Sequence, residues 1–267
     1  MTIAAYNDET VRHVGNSPIP CHTRLGKILK AFRQGLTDGQ REENALKRVL
    51  VFAAHPDDDI FGCGGSLAKH VKQENQVSAC YMTSGDAGSL DCRKKELARI
   101  REDEARKAAQ VIGFQELTFL RNPDGYLKHD EENLKKLVEL IRKKRPNIVY
   151  VHAESDAHQD HRVTFHLANE AIGRASGPLF RESKEKPWNT DTVLAYEVWT
   201  PLSDFNYTED VSEFIKEKVA SLRKHESQVK IARYDEAAEG LARYRGVMTG
   251  KGQYCEVFKI VKASIAF

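Results

Sequence analysis

The sequence lacks the features that mark membrane proteins and nucleic-acid-binding proteins. No apolar run approaches the roughly 20 residues that a membrane-spanning helix needs, and the start has none of the charged and apolar blocks of a signal peptide. The 41 basic and 39 acidic side chains nearly balance, and no basic stripe is interleaved with aromatic residues. We therefore expect no membrane insertion and no nucleic-acid partner.

The cysteines do not occur in the paired or clustered patterns that would give them a structural role. The five cysteines are odd in number and form no Cys-x-x-Cys pair, whereas disulfide frameworks and thiolate metal sites need paired or clustered cysteines. A reduced, cytoplasmic setting is therefore expected. The five positions are Cys21, Cys63, Cys80, Cys92 and Cys255.

The polarity pattern predicts an N-terminal arm followed by one large domain. Residues 1–45 begin with a polar, irregular stretch and then place Leu25, Ile28, Leu29 and Phe32 at helical spacing. This amphipathic helix is more typical of docking on the chain's own domain than of a membrane or subunit contact. The sequence leaves open whether the chain forms a homo-oligomer. Residues 46–267 are long enough to bury a single large core.

One apolar strand pattern ends abruptly in acidic residues. The run Val49 to Ala54 is typical of a strand buried on both faces of a parallel sheet, and His55, Asp57, Asp58 and Asp59 follow it within five residues. Such sheets bind their ligands at the carboxyl ends of their strands. Three neighbouring carboxylates repel one another, and a bound cation is the commonest way to offset that repulsion. Taken alone, the segment is also compatible with a surface turn.

A second strand pattern also ends in possible metal ligands. The stretch 147–152 reads as a short buried strand, and the segment Asp156-Ala157-His158-Gln159-Asp160-His161 follows it. His158 and His161 are three residues apart, so both can face one centre from a helical turn. Two strand ends that each carry His and Asp supply three ligands and leave a fourth position for water, as catalytic zinc requires. A set of two histidines and one aspartate also suits ferrous iron.

Strands and helices alternate along most of the sequence. This order predicts an α/β, Rossmann-like layered fold with a mostly parallel sheet, helices on both faces, and a C-terminal cap or sheet extension that lines the substrate side. The predicted strands cover 49–54, 76–83, 117–120, 148–152, 193–199 and 254–261, and the predicted helices cover 64–74, 93–112, 133–144, 161–175 and 212–225.

The two acidic motifs resemble those of the PIG-L (LmbE-like) family of zinc-dependent N-acetylglucosaminyl de-N-acetylases. The resemblance extends over roughly residues 48–260, and Asp59 stands where the family usually has Glu. Four further segments resemble family signatures, namely Gly62-x-Gly64-Gly65, Arg101-x-x-Glu104, His225-x-Ser227-Gln228 and Glu256-x-Phe258.

The resemblance implies a hydrolase that removes the acetyl group from an N-acetylated amino-sugar conjugate and releases acetate and a free amine. Its metal would be Zn²⁺, with Fe²⁺ as the alternative, and residues 46–267 would form the deacetylase domain. An inositol, malate, sugar, lipid or antibiotic aglycone would present the same acetamide, so the motifs select the reaction rather than the conjugate. The implied roles are His55, Asp58 and His161 as metal ligands, Asp57 in proton transfer, His158 as a protonated oxyanion stabiliser, Asp160 as the group that keeps His158 charged and oriented, and Arg101 in holding substrate hydroxyls or orienting a loop.

Two other classes of protein compete with this interpretation. Gly62, Gly64 and Gly65 would suit a nucleotide-dependent enzyme of Rossmann type. In dinucleotide fingerprints, however, the glycines follow the strand directly so that the pyrophosphate meets a helix N-terminus, and here an acidic motif intervenes. The second alternative is a non-catalytic metal-binding or glycan-binding protein, which would not need a base and an oxyanion donor beside its ligands.

Overall fold

A seven-stranded sheet forms the centre of the computed structural model, which describes residues 46–178, 180 and 183–264. The strand order is β3-β2-β1-β4-β5-β7-β6, with neighbours parallel from β3 to β5 and β7 antiparallel to both β5 and β6. The predicted arm, residues 1–45, lies outside the described residues. The strands are β1 (Arg48–Ala53), β2 (Gln76–Thr83), β3 (Glu116–Asn122), β4 (Ile148–His152), β5 (Thr192–Tyr196), β6 (Tyr207–Asp210) and β7 (Cys255–Ala263).

Seven helices accompany the sheet in the described part of the chain. Within that part, no helix is long and apolar enough to cross a membrane. The helices are α1 (Asp58–Lys72), α2 (Lys94–Ile112), α3 (Glu131–Lys144), α4 (Gln159–Ser176), α5 (Ile215–Leu222), α6 (Glu226–Val229) and α7 (Tyr234–Thr249).

The central strand β1 is buried on both faces, as its unbroken apolar run predicts. Leu50 and Phe52 pack into a core cluster with α3 and α4. Val49 and Ala53, which point to the other face, pack into a second cluster with residues of α1, α2, α5 and α7. Because successive side chains of a strand alternate between faces, the same short run supplies both cores and fixes the position of the residues that follow it.

The predicted fold class is confirmed, and most boundaries of the parallel half fall within a few residues of the prediction. The strand β4 has the predicted bounds, and α2 begins one residue later than predicted. Helix α1 begins six residues earlier than predicted because it has a kink at Cys63, where φ is −142° and ψ is 18°. The prediction found only the part after the kink.

The sequence pattern did not reveal β6, α6 or α7. Helix α7 is 16 residues long, but its buried positions include Asp235 and Arg245 as well as Ala238 and Ala242. A helix that buries charged residues has no continuous apolar stripe, which is the signal that sequence reasoning uses.

Candidate active site

The site lies where the strand order reverses direction. Strand β1 pairs with β2 on one side and with β4 on the other, and in open α/β sheets this switch point opens a crevice at the carboxyl ends of the strands. The two predicted motifs follow β1 and β4 at this edge. A cavity of about 510 Å³ opens there, and its lining includes His55, Asp57, Asp58, Arg101 and His158.

Three predicted metal ligands converge on one small triangle. His55 Nδ1 lies 3.1 Å from Asp58 Oδ2, and His161 Nε2 lies 3.2 Å from that same imidazole nitrogen and 3.3 Å from the same carboxylate oxygen. All three side chains are buried. The structure therefore brings together, from the end of β1 and the start of α4, the three residues that the resemblance assigned to a metal.

The spacing and chemistry of these atoms fit a tetrahedral cation. Ligands at the usual zinc–nitrogen distance of about 2.0–2.1 Å lie roughly 3.3 Å apart in a tetrahedron. Two imidazole nitrogens and a carboxylate oxygen in mutual contact are all electron-pair donors when the histidines are neutral, so a positive charge is needed to hold them together. Residues His55, Asp58 and His161 satisfy both requirements as three of the four ligands of a tetrahedral ion.

Carboxylates lie behind both histidines. His55 Nε2 lies 3.0 Å from Asp124 Oδ1 and 3.4 Å from Asp160 Oδ2, and His161 Nδ1 lies 3.1 Å from Asp156 Oδ1. Carboxylates in this position orient a ligating imidazole and increase its basicity. No sequence pattern points to Asp124, and Asp156 stands out only as part of the second motif.

These carboxylates change the pKa values of the two imidazoles. Burial lowers the pKa of His161, but Asp58 and Asp156 outweigh burial and raise it to about 9. Burial also lowers the pKa of His55, yet Asp58, Asp124 and Asp160 raise it well above its ordinary value. The surroundings of both rings therefore favour positive charge at the triangle, which a metal ion supplies when the rings are neutral.

His152, the last residue of β4, supports the site from behind. Its Nε2 accepts a hydrogen bond of 2.9 Å from the backbone N–H of Ala54, which joins the ends of β4 and β1. Its ring stacks on His161 with centroids 3.9 Å apart. The same Nε2 also lies 3.3 Å from Asp58 Oδ2, so His152 packs against two of the three triangle residues while its Nε2 accepts the Ala54 N–H.

Asp57 lies beside the triangle in a strained backbone conformation. Its φ is 132°, a region that non-glycine residues rarely adopt and that occurs preferentially at functional sites. Arg101 Nη2 lies 3.0 Å from Asp57 Oδ1. Burial raises the pKa of Asp57 to about 7, against the opposing effect of Arg101. A carboxyl group with a pKa near neutrality is suited to accepting and returning a proton.

Arg101 is held by backbone carbonyl groups. Its Nη2 donates to Pro56 O at 2.7 Å and its Nη1 donates to Gly85 O at 3.1 Å. Gly85 has φ of 62° and presses so closely on the guanidinium that a Cβ there would overlap it. Arg101 therefore fixes both the loop after β1 and the loop after β2. This geometry matches the loop-orienting half of its predicted role, and its contact with substrate hydroxyls stays a prediction.

His158 and Asp160 differ from the predicted arrangement. The Asp160 carboxylate accepts backbone N–H groups from Gly125 at 2.7 Å and Leu127 at 3.2 Å. His158 Nδ1 instead accepts the backbone N–H of Asp160 at 3.2 Å, because His158 is the N-cap of α4. Asp160 thus contacts His55 and not the ring of His158.

This capping bond changes the expected charge state of His158. A nitrogen that accepts a hydrogen bond carries no proton, so a neutral ring has its proton on Nε2. Burial, together with His55 and His161, lowers the pKa of His158. Both observations favour a neutral ring that donates from Nε2 over the expected protonated imidazole.

The glycines after the first motif serve close packing. A Cβ on Gly62 would overlap the ring of Tyr196, and the N–H of Gly65 is taken by Glu256 Oε1 at 2.8 Å. These contacts leave that amide without a role in binding phosphate, which argues against the nucleotide-dependent alternative. Asp59 also points away from the site, since its Oδ2 accepts the hydroxyl of Tyr81 at 2.9 Å.

The sequence and the fold are both similar to those of known deacetylases. Residues 50–172 match the PIG-L family, described as GlcNAc-PI de-N-acetylase. The diacetylchitobiose deacetylase of Thermococcus kodakarensis is 30% identical over 230 residues, which cover 82% of this chain and 84% of the relative. The solved N,N'-diacetylchitobiose deacetylase of Pyrococcus horikoshii has a TM-score of 0.74 at 27% identity, over 90% of this chain and 93% of that chain.

The fold also occurs with a different named activity. GalB, the 4-carboxy-2-hydroxymuconate hydratase of Pseudomonas putida KT2440, has a TM-score of 0.73 at 22% identity, over 83% of this chain and 99% of that chain. At that identity the likeness concerns the fold alone, and function must be argued from the site. The relative from Thermococcus kodakarensis reaches 30% identity across most of both chains. The predicted resemblance is confirmed, and the chain belongs to the PIG-L family of de-N-acetylases.

Proposed function

We propose that this chain is a metal-dependent hydrolase that removes the acetyl group from an N-acetylated amino sugar. The observation that carries the proposal is the triangle of His55 Nδ1, Asp58 Oδ2 and His161 Nε2, with separations of 3.1–3.3 Å, beside the Asp57 carboxylate. The names of the relatives support the substrate class. Residues 46–267 would form the catalytic domain.

The metal would be held by His55, Asp58 and His161. Zn²⁺ suits this donor set and Fe²⁺ is the alternative. When bound, such an ion polarises a carbonyl oxygen and lowers the pKa of a water molecule. Asp124 and Asp160 would keep the ring of His55 in place, and Asp156 would do the same for His161.

Asp57 would act as the proton carrier. In the first step its carboxylate takes a proton from the attacking water, whose oxygen forms a bond to the acetamide carbonyl carbon. In the second step the carbon–nitrogen bond breaks, and Asp57 returns the proton to the leaving amine. The products are acetate and the free amino sugar. Arg101 would hold one oxygen of Asp57 and keep the other directed at the reactants.

His158 would stabilise the negative charge that develops on the carbonyl oxygen. Its Nδ1 is fixed by the Asp160 N–H, so Nε2–H is the donor that a neutral ring offers to the cavity. A donor that is oriented before the reaction begins stabilises an oxyanion without reorganisation. This role needs no charge on His158.

The proposal is tested by acetate release from N-acetylated amino sugars. Protein loaded with Zn²⁺ or Fe²⁺ is compared with protein treated with a chelator, and both acetate and primary amine are measured. We expect equal amounts of the two products from loaded protein and neither from chelated protein. Metal binding without hydrolysis of any amino-sugar conjugate would support the non-catalytic alternative. Product formation that is unaffected by chelation would contradict the metal assignment.

A further inference from the structure

The cavity has a composition that distinguishes between substrates with different aglycones. Its volume of about 510 Å³ falls in the range of sites for drug-sized ligands, which are larger than one acetamido sugar. The cavity therefore has room for a second group beyond the acetamido sugar. The side chains that line the cavity and do not belong to the reaction centre indicate the chemistry of that group.

The cavity contains no free cation among its described lining residues. Arg101 is the one lysine or arginine in that lining. Its terminal nitrogens already contact Pro56 O, Gly85 O and Asp57 Oδ1, and its Nε is buried inside the protein. The lining also includes Asp57, Asp58 and Asp124. A carboxylate or phosphate on the aglycone would have no partner and would face like charges, which costs several kcal/mol in a partly buried site.

The rest of the lining is mostly apolar and aromatic. Trp199 is half exposed, with 52% of its surface accessible, and its ring meets Tyr234 edge to face with centroids 5.7 Å apart. An exposed indole face in a cavity is a platform for the apolar face of a flat or ring-shaped group, and its N–H can reach a hydroxyl. The apolar members of the lining include Phe61, Val198, Trp199, Leu222, Tyr234 and Ala237.

Trp199 is fixed relative to the reaction centre through its backbone. Asp156 Oδ2 accepts the N–H of Trp199 at 3.0 Å, and Asp156 Oδ1 lies 3.1 Å from His161 Nδ1. One carboxylate thus joins the loop of Trp199 to a proposed metal ligand. A group stacked on this indole would be held at a set position from the acetamide, and proximity of that kind contributes to rate as well as affinity.

We propose that the preferred substrate carries an uncharged, ring-shaped aglycone, such as a second sugar, and that Trp199 selects it by stacking. This inference rests on the proposed function and adds the class of conjugate to it. Anionic aglycones, such as malate, are disfavoured by the absence of a free cation in the described lining.

The test compares three probes with the metal-loaded full chain: N-acetylglucosamine, neutral N,N'-diacetylchitobiose, and N-acetylglucosaminyl L-malate. We expect kcat/KM for the disaccharide to exceed that for the malate conjugate by at least about tenfold. In Trp199→Ala, the ratio of kcat/KM for the disaccharide to that for N-acetylglucosamine should fall about tenfold, mainly through KM. Trp199→Phe keeps a ring and should recover most of this ratio.

A matched control and the contrary outcomes complete the test. Tyr244 is an aromatic residue with 55% exposure that does not line the cavity, and Tyr244→Ala should leave the ratio unchanged. Trp199→Ala keeps the backbone N–H that bonds Asp156, and a thermal melt checks that it is folded. Equal or better hydrolysis of the malate conjugate, or an unchanged ratio in Trp199→Ala, would overturn the inference while leaving the proposed function intact. Failure to hydrolyse any of the three probes would count against the proposed function itself.

Discussion

Two buried polar clusters in this fold differ in how their atoms are satisfied. Around Glu256, the carboxylate accepts the N–H groups of Gly65 and Ser66, both at 2.8 Å, and pairs with Lys218 Nζ at 2.6 Å. At the triangle, by contrast, His55 Nδ1, Asp58 Oδ2 and His161 Nε2 lie 3.1–3.3 Å apart, and all three carry lone pairs when the rings are neutral. The first cluster is complete within the protein, whereas the second brings together the donor set of a metal ion.

This difference separates a structural network from a functional one. Buried charges cost several kcal/mol each unless they are paired and hydrogen-bonded. Glu256 meets that condition and caps the part of α1 that restarts after the kink at Cys63, so its benefit lies in folding. The triangle places three possible donors around one point, so its benefit lies in binding a ligand. Substitutions at the triangle should therefore act mainly on activity, and substitutions around Glu256 mainly on stability.

The largest effect is expected at His161. His161→Ala removes one of three metal donors, so the metal should be lost and turnover should fall below detection. Without metal, Asp58 and Asp156 raise the pKa of His161 to about 9 and pair with its ring, so the metal-free variant should be less stable than metal-free wild type at neutral pH. Elemental analysis measures the metal content, and thermal melts measure the stability of both metal-free proteins. A His161→Ala protein with full metal content would show that this residue is not a ligand.

Asp57→Asn should leave the metal in place and remove the proton carrier. Turnover should fall by roughly two to four orders of magnitude. In the wild type, kcat/KM should rise with pH as the Asp57 carboxyl, whose pKa is about 7, loses its proton. The variant has no carboxyl group to titrate, so this acidic limb should disappear from its residual activity. Retention of the limb in Asp57→Asn would assign it to another group.

At Glu256 the main expected effect is on stability rather than on activity. Glu256→Gln leaves Lys218 buried without a charged partner, and the free energy of unfolding should fall by about 3–5 kcal/mol, the usual cost of breaking a buried pair. Metal content and kcat of the folded fraction should stay close to wild type. Denaturant unfolding measures the loss, and Glu256→Gln combined with Lys218→Met should recover much of it, since no unpaired charge remains. Loss of metal in the single variant would show that the Glu256 cluster also supports the metal site, which contradicts the separation of the two clusters.

The sequence predicts the triangle better than its surroundings, for a physical reason. His55, Asp58 and His161 follow strands whose apolar runs are unmistakable, and parallel strands bring their carboxyl ends to one edge. Asp124 follows β3, where every residue is at least partly exposed and no buried run marks the strand. Trp199 and Tyr234 belong to the C-terminal part, where helices bury charged residues. Their placement depends on tertiary packing, which no local pattern records.

The position of His158 at the start of a helix determines which group its Nδ1 contacts. The family resemblance implies that Asp160, two residues from His158, keeps the His158 ring charged. In the structure, the start of α4 after His158 turns the Asp160 N–H toward Nδ1. The side chain of Asp160 is then free to accept the N–H groups of Gly125 and Leu127. The partner of the His158 imidazole is thus a backbone N–H at a helix N-terminus. The expected partner was the Asp160 carboxylate.

The smallest of these effects is expected at His158, and it tests that change of role. His158→Ala should keep the metal, because this ring is outside the triangle, and should lose about a hundredfold in kcat, the usual loss for one oxyanion donor. The surroundings lower the pKa of His158, so the ring is neutral wherever the Asp57 carboxyl is ionised. The pH profile of His158→Ala should therefore keep the shape of the wild-type profile at a lower level. His158→Gln, which keeps an N–H donor on a side chain of similar reach, should recover part of the rate. Loss of an alkaline limb in His158→Ala would instead show that the imidazole works as a charged acid, and loss of metal would place it among the ligands.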